Sequence, residues 1–113
     1  MAVGKEFIEF VVEVLAPFGV IRVKRMFGGA GVFADGLFFA ILDDDQLYLK
    51  ADSETQPGFE AEGLKPFTFT KKDGSTATLR YFAAPEEVFE DPELMKYWVD
   101  MALGAALRKA RKN

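Results

Sequence analysis

Val32-Phe33-Ala34-Asp35-Gly36-Leu37-Phe38-Phe39-Ala40-Ile41-Leu42-Asp43-Asp44-Asp45-Gln46-Leu47-Tyr48-Leu49-Lys50 contains apolar runs separated by short acidic turns. Asp35-Gly36 between two such runs is a strong hairpin signal, because glycine accepts the positive φ that a type I′ turn demands. Asp43-Asp44-Asp45 supplies the next turn, with short polar side chains able to bond their own backbone. Successive strands joined by tight turns form an antiparallel meander. Leu37 to Leu42 is apolar at every position, so this strand is expected to be central and covered on both faces.

Toward the N-terminus, Ile21 and Val23 alternate with Arg22 and Lys24 as in a half-buried strand, and Gly28, Gly29 and Gly31 interrupt it before Val32 resumes. Ahead of that strand, Lys5 to Ala16 has a helical period, with Glu6, Glu9 and Glu13 on one stripe and Pro17 and Gly19 as the stop. Toward the C-terminus, the polar stretch from Asp52 to Gly63 predicts a short helix broken by Pro57 and Gly58. Phe67 and Phe69 alternate with threonines, Asp73-Gly74 marks a second hairpin, and Thr76 to Phe82 returns. Pro85-Glu86-Glu87 reads as a helix start. Asp91-Pro92-Glu93 announces the last helix, with Asp91 as the N-cap. The order α-β-β-β(-β)-α-β-β-α predicts an α+β fold: two layers, with a largely antiparallel sheet flanked by N- and C-terminal helices, in one domain spanning residues 1–113.

Half the residues are hydrophobic and Phe occurs 12 times, enough for a core without staples. With no Cys there is no disulfide framework and no thiolate zinc site, which fits a cytoplasmic location. The net charge of -4 opposes broad attraction to nucleic acid or to an anionic membrane. No apolar run approaches the roughly 20 residues needed to span a bilayer.

The chain has no His, hence no imidazole base and no Ser-His-Asp or Cys-His unit. Its acids are spread over helix stripes and turns, which leaves a carboxylate-pair enzyme as the least favoured reading. No cofactor and no metal are expected. Gly29-Ala30-Gly31-Val32-Phe33-Ala34 matches the dinucleotide fingerprint on paper. A turn and β-like residues follow, however, where that motif needs a helix, so the glycines are read as a bend in the sheet. Asp43-Asp44-Asp45 lacks the alternating spacing and distant Glu of a calcium loop.

Binding is the remaining class. Both terminal helices carry a wider apolar surface than the stripe of about 100° needed to pack on one sheet. Either they wedge against each other, or they meet a protein partner or a second copy of the chain, with Tyr97 and Trp98 as anchors. Arg25-Met26-Phe27-Gly28-Gly29 sets a cation and apolar groups beside conformationally free glycines, and is the other interaction candidate. The alternative is direct nucleic-acid binding through Arg22, Lys24, Arg25 and the tail residues Arg108, Lys109, Arg111 and Lys112. Cations at that tail also complement the dipole of the last helix.

Arg25 through Phe33, Leu37 through Ile41, Leu47 through Lys50, Arg80 through Val88 and Asp91 through Trp98 together resemble the N-terminal domain of the TfoX/Sxy competence regulators. The resemblance covers nearly the whole chain. It implies a bacterial cytoplasmic protein related to regulators of DNA-uptake genes, a two-layer α-β-β-β-α-β-β-α fold and no catalytic residues. Two-domain members add a C-terminal helix-hairpin-helix-like domain, which this sequence, ending at Asn113, does not show. The expectation is therefore a stand-alone interaction module in transcription regulation, with an unknown protein partner or a homodimer and no membrane association.

Overall fold

The computed structural model describes residues 3–26 and 28–112. Strands β1 (Ile21–Met26), β2 (Gly29–Ala34), β3 (Leu37–Asp43) and β4 (Gln46–Lys50) precede β5 (Pro66–Thr70) and β6 (Thr76–Ala83). They form one antiparallel sheet in the order β1-β2-β3-β4-β6-β5. Helix α1 (Lys5–Leu15) and a 3-10 turn come before the sheet, α2 (Gln56–Ala61) connects β4 to β5, and α3 (Pro92–Arg111) ends the chain. The α+β class and the element order agree with the sequence reading, with four strands before α2.

Turn chemistry explains the meander. Asp35 and Gly36 adopt φ values of 50° and 85°, and Asp44 and Asp45 adopt 51° and 62°. Both turns thus place their central residues in the left-handed region, the geometry that suits the strand twist. The second does so without glycine, which Asp tolerates better than most side chains because it can bond locally.

The helices lie on one face of the sheet. Val32, Leu42, Leu47, Leu49 and Phe82 share a single buried cluster with Val11 and Leu15 of α1, Phe59 of α2, and Met95, Trp98, Val99 and Ala102 of α3. A register shift helps fill it. Val32 pairs with Ala40 while Phe33 pairs with Phe38, so Phe39 has no partner in β2. Phe39 and Ala40 then both join the helix-side cluster, whereas Phe38 and Ile41 belong to the other face. A bulge of this kind turns neighbouring side chains to the same side.

β3 is central and covered on both faces, as expected, but among the described residues the second face is covered by side chains of the sheet itself and not by a helix. Ile41, Phe67 and Tyr81 are buried there among Phe38, Tyr48, Phe69 and Leu79, all of them strand residues. Ring centroids lie 4.9 Å apart for Phe33–Phe38, 5.3 Å for Phe38–Tyr81 and 5.2 Å for Tyr48–Phe67. Large aromatic side chains of adjoining strands roof Ile41, which removes the need for a helix.

Two local expectations change. Pro57 stands in the first turn of α2 and so starts that helix instead of breaking it, since the missing N–H had no partner there. The segment after Pro85 is a four-residue 3-10 turn, Glu86–Phe89. Asp91 caps α3 as expected, its Oδ1 accepting from the backbone N–H of Glu93 at 3.1 Å and of Leu94 at 3.2 Å.

Most of the surplus apolar surface is absorbed inside the molecule. Phe7, Ile8, Val14, Leu94, Met101 and Leu103 rest half-buried against the main core. Phe10, Tyr97 and Leu107 remain outside, 44%, 57% and 42% exposed. Trp98 is 5% exposed, with its ring 4.9 Å from Phe59. Trp98→Ala is expected to lower the unfolding free energy by about 3–5 kcal/mol in denaturant titration, whereas Tyr97→Ala should change it by about 0.5 kcal/mol or less.

Candidate functional site

The β1–β2 turn holds one set of sequence candidates. Arg25 is exposed, and its Nη1 donates to the Val3 carbonyl at 3.1 Å. Met26 is half-buried with its thioether over Gly31, where an added Cβ would fall 2.7 Å from Met26 Cε. Gly28 has a φ of +78°, and a Cβ on the buried Gly29 would lie 2.2 Å from the Leu42 carbonyl oxygen. Gly29 is therefore demanded by close approach of two backbones. Phe27 lies outside the described residues.

At the same end of the sheet is a groove of about 830 Å³ between the end of α2, the segment after β6 and α3. Leu64, Pro85, Leu94 and Trp98 form its apolar floor beside the exposed ring of Tyr97. Tyr97 stands edge-on to Trp98, with centroids 5.2 Å apart. Glu62, Glu86 and Glu87 are exposed along the rim, against the single cation Lys65. Gln46 closes the groove next to the β3–β4 turn, its Nε2 donating to the Leu47 carbonyl at 2.9 Å. Because β1 ends and β4 begins at this edge, the glycine turn and Tyr97 belong to the same end of the molecule. Trp98 contributes to the floor and the core, Tyr97 to the surface.

The predicted basic residues do not form one track. Arg22 and Lys24 are exposed on β1, and alternate with the core-facing Ile21 and Val23, so they stand on the helix-free face at the sheet's edge. Arg108 is committed elsewhere. Its Nε and Nη2 donate to the two carboxylate oxygens of Asp52 at 2.6 and 3.1 Å, and its Nη1 pairs with Glu54 at 3.1 Å. The Arg108 guanidinium beside Asp52, helped by backbone N–H groups of Thr55 and Glu54, pulls that carboxyl down to about 2. Lys109, Arg111 and Lys112 are exposed. Of these, Lys109 and Lys112 border a second cavity together with Lys50 and Tyr81.

Lys50, Tyr81, Asp52 and the rim glutamates escaped the sequence reading. Lys50 ends β4 on the polar phase of its alternation, a position that signals only a strand facing away from the helices. Its nearness to α3 depends on a contact between residues more than fifty positions apart, of the kind seen at Asp52–Arg108. Among the described residues no group of His, Cys, Asp and Glu could hold a metal ion. No described helix is long and apolar enough to cross a membrane.

A family model of the TfoX N-terminal domain matches residues 13–106. The DNA transformation protein TfoX1 of Aliivibrio fischeri (strain ATCC 700601 / ES114) is 34% identical over 68 residues, which is 60% of this chain and 32% of that protein. Protein Sxy of Escherichia coli (strain K12) is 30% identical over 95 residues, 80% of this chain and 45% of that protein. The chain thus spans less than half the length of either of these curated relatives.

The Arg108–Asp52 pair has a measurable signature. Because the folded-state pKa of Asp52 lies below its ordinary value of 3.8, its stabilising contribution is complete above that value and is lost as pH falls through about 2. In Arg108→Leu, carbon-detected NMR titration of the Asp52 carboxyl should show its pKa rising toward the ordinary value. The variant's acid unfolding should also lack the part of the loss that the native protein shows across that window.

Proposed function

The chain belongs to the TfoX N-terminal domain family, and from that membership we propose that it is a non-catalytic regulatory domain that docks a protein segment in the groove beside Tyr97. The observation that carries this reading is an aromatic ring 57% exposed beside an apolar floor. Tyr at such a position offers a rigid apolar body and a hydroxyl, the composition common at interface anchors. The rim chooses the partner's chemistry. Glu62, Glu86 and Glu87 against Lys65 favour a segment whose apolar residues are flanked by Lys or Arg.

Catalysis is the weaker reading. The chain has no imidazole and no thiol, and the groove's carboxylates are open to water, not paired and desolvated as general acid–base work requires. Direct nucleic-acid binding through the tail is weaker too, since Arg108 is already held by Asp52 and Glu54. The name of the Aliivibrio relative ties that protein to DNA transformation. Control of transcription in that setting, in the cytoplasm, is the role we infer for this domain.

A photocross-linking residue placed at Tyr97 in cells tests the proposal. The expected product is a peptide of another protein with apolar residues between basic ones, absent in the double variant Glu86→Lys, Glu87→Lys. The same probe at Lys71, on the β5–β6 turn, should not capture it. Cross-linking to a second copy of this chain, or capture indifferent to the charge reversal, would overturn the assignment.

A further inference from the structure

The second cavity, of about 480 Å³, opens at the far end of the sheet between the close of β4, β6 and the last turns of α3. Its volume is within the roughly 300–1,000 Å³ usual for small-molecule sites. Leu79, Tyr81 and Ala105 contribute apolar surface, and Lys50, Arg80, Arg108, Lys109 and Lys112 bring positive charge against Asp52 and Glu54. The acids are engaged by Arg108, and Arg80 turns its Nε to Gln56 Oε1 at 2.6 Å. Among the described residues, Lys50 meets no carboxylate at ion-pair distance. Its Nζ donates to the Tyr81 hydroxyl at 3.2 Å and lies 4.8 Å from that ring's centroid.

This arrangement wants an anion. Partial burial and the neighbouring charge of Lys109 both work against the Lys50 ammonium, with Asp52 opposing them weakly. Tyr81, buried and held protonated, accepts from Lys50, which leaves its own O–H able to donate to a ligand. The negative end of α3, about half an elementary charge, accounts for cations at Lys109 and Lys112. It does not account for Lys50, which stands on a strand.

We propose that this cavity binds a small phosphate-bearing ligand, its phosphate held by Lys50, Lys109, Lys112 and the Tyr81 hydroxyl, with the rest of the molecule against Leu79. A nucleic-acid backbone offers the same chemistry but fits less well. Arg22 and Lys24 lie on β1 at the other edge of the sheet, away from the cavity at β4 and β6, and the chain's net charge of -4 repels a polyanion.

Titration of the intact chain with pyrophosphate and with adenosine monophosphate, followed by NMR, tests the site. Saturable shifts at Lys50, Tyr81 and Lys109 are expected, with a dissociation constant at or below about 1 mM. Lys112→Gln, at an exposed position that should not disturb folding, and Tyr81→Phe, which keeps the ring, should each weaken binding at least about fivefold. Lys71→Gln should bind as the native chain does. Shifts that never saturate, or affinity unchanged in both cavity variants, would overturn the site. Tighter binding of a short single-stranded oligonucleotide, lost on Arg22→Ala and Lys24→Ala, would overturn the small ligand in favour of a backbone phosphate.

Discussion

Phe59 lies between Phe82 of β6 and Trp98 of α3, with ring centroids 5.4 and 4.9 Å away. Much of the molecule depends on that sandwich. Six residues of helix have no stability of their own in water, because nucleation costs more than so few hydrogen bonds return. α2 exists because Phe59 is inserted, fully buried, into the space between sheet and helix. The same insertion seats α3 at its tryptophan and sets the position of the chain after α2, from which one wall of the Tyr97 groove is made.

Helix α3 is then held at both ends by carboxylates with opposite duties. Asp91 satisfies backbone donors at the start, where the helix dipole is positive. Asp52 takes the Arg108 guanidinium near the finish, where cations are favoured, and ties the β4–α2 loop to the helix. The two candidate sites occupy these two ends and differ in sign. Exposed glutamates border the groove near the start, and lysines gather around the cavity near the finish. A molecule of net charge -4 thus gathers several of its cations where α3 ends.

Much of the fold could be read along the chain. Asp35-Gly36 announces a turn whose strands must pair, and Asp91-Pro92-Glu93 carries both a cap and a residue suited to the first helical position. Such signals are local, and local geometry is what they control. Pro57 was harder, because proline both ends helices and begins them, and the distinction lies in which neighbours are already helical. The covering of β3 was harder still. An apolar strand declares that both of its faces are dry, yet a helix layer and a roof of aromatic side chains dry a face equally well.

The candidate sites divide along the same line. Tyr97 and Trp98 are consecutive, and the helical period sets Trp98 on one face with Leu94, Met101 and Ala105 without deciding whether that face meets the core or a partner. Packing against Phe59 placed Trp98 inside and left Tyr97 in solvent. The tail cations were visible as a cluster, but their division was not, since Arg108 finds its partner 56 residues back in the chain. What the sequence determined by itself was the element order, the turns and the cap, set by short-range sterics and hydrophobic period, and the family, through the resemblance of its motifs. Only the tertiary structure decided which charges meet, which aromatic ring is left exposed and where a cavity forms, because those depend on distances between segments that the chain brings together only on folding.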